Sequence, residues 1–335
     1  MFNFYKTKIV KANLQQRRGF MAGLAAGGMS ALALSACGGS ATANASATSL
    51  GLPIVILVHG SWHSSFCWAR VLPLLTARGV RPLPIDLPGT GLNGRFPASW
   101  YARPFNPTAY ADEVSPLAAT TLANYSDTVG SVIDALHAAG QGPIFVLGHS
   151  LGGATVNAVA ESRAAKLAGV LYLSALLPLP NQSLLNTIAR PSFATSRVVQ
   201  GLAGAIVVGP NVQAARIDSN TPDPAVRAVM QATYCADVSE GDFLAWLNLL
   251  VPDDPTDLYA TAIPLTAAGY GSLKRCYIKC TADEAVVPAA ADDMIAAMDA
   301  SGIGGKTIVQ EINSSHCAFL SQPAALASAI VNFVS

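Results

Sequence analysis

Ile144-Phe-Val-Leu-Gly-His-Ser-Leu-Gly-Gly-Ala154 decides the reading of this chain. Ile144–Leu147 is an apolar run of strand length, the pattern of a strand buried on both faces. Gly148-His149-Ser150-Leu151-Gly152 follows at once, and an alanine-rich helical stretch continues through about Arg163. G-x-S-x-G between a strand and a helix is a sharp turn that lifts a serine hydroxyl out of the sheet. Glycines on both sides permit the close backbone approach that the turn needs. The start of the helix aims unpaired N–H groups at charge developing near Ser150.

The same strand pattern recurs on both sides of this stretch. Pro53–Val58 ends in His59-Gly60, Leu83–Ile85 precedes Asp86-Leu-Pro-Gly89, and Val170–Leu173, Arg275–Lys279 and Thr307–Val309 repeat it. Helical periodicity lies between them. Leu122, Tyr125, Val129, Val132, Ile133 and Leu136 recur at three- and four-residue steps, and Gly140 closes that helix. Alternating strands and helices predict an α/β fold, a mainly parallel sheet with helices on both faces. Two stretches break the alternation. Residues 93–116 read as a loop rich in aromatics and prolines, its aromatics packing a long surface loop rather than gripping substrate. Residues 178–264 carry helical patterns such as Phe243-Leu244-x-Trp246-Leu247 and no strand-rich signal, which predicts a helical cap inserted over the sheet.

A serine needs a base to become a nucleophile. For this kind of turn the partners follow in the chain order serine, acid, histidine. Histidine occurs at 59, 63, 137, 149 and 316, and only His316 lies beyond Ser150. The acid is expected after the preceding strand, where Asp283 and Glu284 stand side by side; Asp283 is the choice and Glu284 its competitor. Its role would be to hold the imidazole in its productive tautomer. Two backbone donors would complete an oxyanion hole. These are the N–H of Leu151 and, from the loop after the first strand, that of Ser61. His59, His63 and Cys67 share a four-residue spacing but span a strand end and a loop, so packing is favoured over a metal site. Lys274 and Arg275 read as a solvated strand start.

Composition narrows the partners. The chain has 335 residues, 51% hydrophobic and 12% charged, with zero formal net charge. Five lysines and arginines precede residue 37 with no acid among them, so the remainder is net acidic. A cationic surface for nucleic acid is not expected. Residues 1–37 have the layout of an export signal: Arg17-Arg18-Gly19-Phe20 of twin-arginine type, then a weakly apolar run, then Leu34-Ser35-Ala36-Cys37 like a lipoprotein cleavage box. Cys37 is the expected lipidation site, with cleavage near Ala43-Asn44-Ala45 as the alternative. Residues 38–51 form a Gly/Ser/Ala/Thr-rich tether, and residues 52–335 the folded domain. The expected location is the periplasm or cell envelope, with membrane contact through the lipid only. Five further cysteines (67, 235, 276, 280, 317) cannot all pair, and Cys276 and Cys280 sit too far apart along a strand to bridge.

Together, the elbow, the His59-Gly60 loop, Asp86-Leu-Pro-Gly89 and the late Asp and His resemble the α/β-hydrolase superfamily. Finer matches are similar to the branch of plant methylesterases and hydroxynitrile lyases with its bacterial salicylate-esterase-like relatives. These are Val58-His-Gly-Ser-Trp-His63 with Cys67-Trp68, Gly271–Asp283 with Val287-Pro288, Ser315-His-Cys-Ala-Phe-Leu320 with Pro323, and Tyr234-Cys235 with Asp242. The resemblance implies a triad of Ser150, His316 and Asp283 and hydrolysis of a small-molecule carboxylic ester through an acyl-enzyme, with no cofactor and no metal. Lyases of that branch carry a threonine in the entry loop and a lysine after the histidine. Gly60 and Cys317 stand there, so the esterase reading leads. An acyltransferase or lactonase with the same triad, a lyase, and a non-catalytic ligand-binding member remain as alternatives. The sequence leaves the acyl and alcohol groups and the oligomeric state open.

Overall fold

A computed structural model gives the fold of residues 51–335. The twin-arginine pair, Cys37 and the tether up to residue 50 lie outside the described residues. The apolar runs become strands: β1 Ile54–Val58, β2 Arg81–Ile85, β3 Ile144–His149, β4 Gly169–Leu173, β8 Arg275–Cys280 and β9 Ile308–Ile312, with β5 Ile206–Val207, β6 Ala214–Ile217 and β7 Asp253–Pro255 between β4 and β8. The six outer ones form a parallel sheet in the order β2-β1-β3-β4-β8-β9. Val58 pairs with Ile85 and Gly148, and Leu173 pairs with His149 and Ile278, so the strands finish together at one carboxyl edge. Ligand sites of open α/β sheets form at that edge.

Burial explains why the strand residues do not alternate with polar ones. Every residue of β1, β3, β4 and β8 is buried. Successive side chains point to opposite faces, so Ile54, Ile56 and Val58 join one core and Val55 and Leu57 the other. Leu122, Val129 and Ile133 of the Leu122–Ala138 helix and Val156 and Val159 of the Gly152–Arg163 helix fill the first face; Leu326, Ile330 and Phe333 of the Pro323–Val334 helix fill the second. Each such large apolar side chain contributes about 1.5–3 kcal/mol by leaving water. The Leu122–Ala138 helix starts at a capping box between Thr121 and Asn124, and its chain exits through Gly140 at φ +64°.

The 178–264 insertion departs from the helical expectation. It holds helices, among them Pro224–Tyr234 and Glu240–Leu247, and also an antiparallel sheet of β5, β6 and β7. Asp253-Asp254-Pro255 carries no β-forming pattern, and its pairing depends on a partner distant in sequence. Arg216 Nε and Nη2 donate to the two Asp253 oxygens at 2.6 and 2.7 Å, and both side chains are fully buried. Residues 93–116, expected as loop, contain two short helices, Ala98–Tyr101 and Pro107–Asp112. They are fastened to the insertion by Arg216 Nη1, which donates to the carbonyls of Tyr110 and Glu113, and Tyr110 lies 4.9 Å beneath the guanidinium. Phe96, Trp100, Phe105 and Tyr110 pack on one another.

Arg275, expected at a solvated strand start, is buried instead. Its guanidinium donates to the carbonyls of Ile303 and Gly305 and lies over Tyr270. Lys274 does remain exposed, above Phe145 and Phe333. Cys67, Cys235, Cys276, Cys280 and Cys317 are all free and buried. Among the described residues no helix is long and apolar enough to cross a membrane, and no cluster of metal-ligating side chains occurs.

Candidate active site

Ser150 sits between β3 and the Gly152–Arg163 helix with φ +53°, a left-handed conformation that few non-glycine residues adopt. The bend is held from both sides. The Ser150 N–H donates to the Leu173 carbonyl at 3.2 Å, and its carbonyl accepts from Leu176 at 2.9 Å. The helix start lies so close to the end of β1 that a Cβ on Gly152 would stand 2.6 Å from the His59 carbonyl oxygen, so no larger residue fits. The Ser150 side chain faces a cavity of about 570 Å³, and its hydroxyl has no hydrogen-bond partner among the described residues.

His316 lines the same cavity from the loop after β9. Its Nδ1 donates to Asp283 Oδ2 at 2.7 Å, with both side chains buried. Asp283 follows β8, and its other oxygen, Oδ1, accepts the backbone N–H groups of Ala285 and Val286 at 2.7 and 2.9 Å. The carboxylate is therefore aimed before it meets the imidazole. Glu284, the competitor, makes no side-chain hydrogen bond among the described residues; its carbonyl accepts from Arg197. With Nδ1 committed to Asp283, Nε2 is the nitrogen left for a proton from the serine.

Three residues with no role foreseen from the sequence hold this histidine. The His149 ring lies 4.6 Å from that of His316, and its Nε2–H donates to the His316 carbonyl at 3.2 Å. Burial holds the His149 imidazole well below its ordinary range, so it serves as a neutral support. From the insertion, Asp237 accepts the Ser315 N–H at 3.2 Å and the Ser315 hydroxyl, and the Tyr234 carbonyl accepts from Cys317 at 3.1 Å. No local pattern marked Asp237. Its partner is 78 positions away.

The loop after β1 supplies the opposite wall. A Cβ on Gly60 would lie 2.8 Å from Ser150 Cβ, which puts the next peptide beside Ser150. Among the described residues neither the Ser61 N–H nor the Leu151 N–H has a protein acceptor. Two unpaired donors flanking a serine are what a developing oxyanion requires. The loop is fixed by neutral and acidic partners. Trp246 Nε1–H donates to His63 Nε2 at 2.9 Å, so His63 carries its proton on Nδ1, which donates to the Ser61 carbonyl at 2.6 Å. Burial drives His63 down to about 3 and His59 down to about 4, which keeps both rings uncharged. Trp62, at φ +56°, donates its N–H to both oxygens of Asp254 at 3.1 and 3.2 Å. His59, His63 and Cys67 thus pack and orient the loop.

Leu151, Leu176, Phe193, Ile217, Met230 and Trp246 represent the apolar lining of the cavity, which among the described residues has no aspartate, glutamate, lysine or arginine. Much of that lining comes from the 178–264 insertion, and none of it from residues 93–116.

A family model described as the alpha/beta hydrolase family matches residues 55–329. A pyrethroid hydrolase of Sphingobium wenxiniae is 25% identical over 283 residues, covering 83% of this chain and 86% of that protein. A protein of Oryza sativa subsp. indica named "Probable esterase PIR7A" is 28% identical over 236 residues, covering 67% of this chain and 76% of the other. Among solved structures, a pyrethroid hydrolase from Sphingobium faniae superposes with a TM-score of 0.65 at 22% identity, covering 84% of this chain and 97% of that one.

Proposed function

This chain belongs to the alpha/beta hydrolase family, and from that premise we propose that it is a serine carboxylesterase working through an acyl-enzyme. Ser150 Oγ attacks the ester carbonyl carbon while His316 Nε2 takes the hydroxyl proton. The C=O electron pair moves onto oxygen, which the Ser61 and Leu151 N–H groups receive. Collapse of the tetrahedral intermediate breaks the C–O bond to the alcohol, to which His316 returns the proton. Water then repeats the sequence on the acyl-enzyme, releasing the acid and restoring Ser150. Asp283 holds His316 in the tautomer that both half-reactions need.

The observation that carries this reading is the gathering, on one cavity, of a serine at a left-handed bend, an imidazole bonded at 2.7 Å to a backbone-anchored carboxylate, and two unpaired N–H donors. The names of the relatives, a pyrethroid hydrolase and plant esterases, agree with ester hydrolysis. An uncharged apolar lining and a volume of about 570 Å³ favour neutral, bulky or aromatic esters over anionic ones. Ser150→Ala should abolish p-nitrophenol release from neutral acyl esters; undiminished turnover would refute the assignment. A charged succinyl monoester should be turned over at least tenfold more slowly than a neutral ester of equal length. The basic and weakly apolar residues 1–37, ending at Cys37, support export and lipid anchoring. Detergent-phase partitioning of the full chain that is lost in Cys37→Ala tests that part.

A further inference from the structure

Asp254 is a buried carboxylate beside this site that the mechanism leaves unused. It is 2% exposed, and among the described residues no cation pairs with it. Its neighbour Asp253 is ion-paired with Arg216. Asp254 Oδ2 accepts from Tyr259 Oη at 3.3 Å, and Tyr259 Oη lies 3.4 Å from Ser61 Oγ. Tyr259 and Ser61 line the cavity with Ser150. A chain of three hydroxyl or carboxyl groups therefore leads from a sealed site to the side chain of the residue that supplies an oxyanion donor.

We propose that the Ser61 hydroxyl is a third donor to the oxyanion, and that Asp254 and Tyr259 are positioning residues that turn it toward the cavity or away from it. The inference rests on the ester-hydrolysis reading above. Each hydroxyl has one proton to give. With Asp254 ionised, Tyr259 donates to Oδ2 and Ser61 donates to Tyr259, so a lone pair of Ser61 faces the substrate. With Asp254 protonated on Oδ2, the carboxyl donates to Tyr259, Tyr259 donates to Ser61, and the Ser61 proton is free for the oxyanion. Oδ1 accepts the Trp62 N–H in both states, so the loop stays in place while the hydroxyl chain reverses.

The surroundings put this reversal in a usable pH range. The titratable groups around Asp254 are Asp253 beside it on β7, with Arg216 bonded to that neighbour, Tyr125 from the Leu122–Ala138 helix, and Tyr259. Burial pushes the Asp254 carboxyl up to about 7, the Asp253 charge adds to the rise, and the bonds from the Trp62 N–H and the Tyr259 hydroxyl hold it from going further. The outward chain therefore dominates below that pH and the inward chain above it. Loss of a preorganised oxyanion donor lowers kcat by roughly a hundredfold or more. A neutral hydroxyl added to two backbone donors is expected at the upper end of a net neutral hydrogen bond, roughly tenfold in rate. With the midpoint near pH 7, part of the tenfold change is already complete there, and the fall in kcat between pH 7 and 9.5 becomes about fivefold.

The experiment measures kcat and KM for p-nitrophenyl butyrate from pH 5.5 to 9.5 with wild type, Asp254→Asn, Tyr259→Phe and Ser61→Ala. In Asp254→Asn the amide oxygen keeps the Trp62 N–H and the amide NH2 donates permanently to Tyr259. The fall above pH 7 should vanish while the acid limb remains. Tyr259→Phe disconnects Ser61 from the carboxyl and should flatten the same limb; it also serves if the asparagine variant does not fold. Ser61→Ala should lower kcat at pH 7 about fivefold, leave KM within twofold, and coincide with wild type at pH 9.5. An alkaline limb that persists in Tyr259→Phe, or a Ser61→Ala profile parallel to wild type, overturns the inference. All three variants keep Ser150, so residual turnover in Ser150→Ala would signal failure of the esterase reading separately.

Discussion

Replacing Asp283 by asparagine changes one atom and should disable the site almost completely. Oδ1 of the carboxylate is tied to two backbone donors, Ala285 and Val286. An asparagine must keep its oxygen there, because turning the amide around would face NH2 against both N–H groups and leave buried donors unpaired at about 1–3 kcal/mol each. The amide nitrogen is thereby forced into the Oδ2 position, 2.7 Å from His316 Nδ1. It can only donate, so the imidazole must accept at Nδ1 and carry its proton on Nε2. A protonated Nε2 cannot take the Ser150 proton. Wrong-tautomer substitutions of this kind lower kcat by about 10⁴, equivalent to about 5.5 kcal/mol of transition-state stabilisation. The assay is kcat for a p-nitrophenyl ester at pH 7.5, with thermal melting as control, since the two backbone bonds survive and Tm should move by only a few degrees. A variant that keeps kcat within tenfold of wild type would refute the placement of Asp283 as the group that sets the tautomer.

Gly60→Ala forces a methyl group to within 2.8 Å of Ser150 Cβ and 2.9 Å of His149 Nδ1. Overpacking by about 1–3 kcal/mol should appear as a lowered Tm and a drop in kcat/KM of at least about tenfold, measured on the same ester. Asp253→Ala leaves the fully buried Arg216 without its carboxylate, and urea unfolding should show a loss of about 3–5 kcal/mol. Acid should weaken the fold through the histidines. His63 is held down to about 3 against an ordinary 6.5, so the unfolded chain binds more protons and stability falls as pH drops through 6.5. From pH 6.5 to 5 that loss is about 1.6 kcal/mol for His63 alone, and His63→Gln should remove it in urea titrations at the two pH values. Asp254, raised to about 7, works in the opposite sense over that window, and a control in Asp254→Asn should show a steeper acid loss.

What the sequence made legible is what local pattern dictates. β1, β3, β4 and β8 are buried on both faces, so their apolar runs stood out. The serine turn was visible because its strand, glycines and helix are contiguous, and His316 because it is the one histidine after Ser150. Asp283 stood above Glu284 by its strand-end loop and Pro288 before the next helix, and its pair of bonds to Ala285 and Val286 left no mark in the sequence. Interactions across long separations stayed hidden. β7 is a strand of two aspartates and a proline, held by an arginine 37 positions away. Trp62 meets Asp254 across 192 positions and His63 meets Trp246 across 183. Arg275 looked solvated because its acceptors, the carbonyls of Ile303 and Gly305, come from a loop about 30 positions later. Asp253-Asp254, two adjacent acids among prolines with no lysine or arginine in the neighbouring turns, was the one local hint that buried carboxylates lay in the insertion.

Labelling of the folded protein with a fluorophosphonate tests most directly whether the hydroxyl at the β3 bend is the nucleophile. After proteolysis, mass spectrometry should place the whole adduct on the peptide containing Ser150, with the rate of labelling lowered at least about a hundredfold in His316→Ala. An adduct on another serine, or none on a protein that still hydrolyses the ester, would contradict the account.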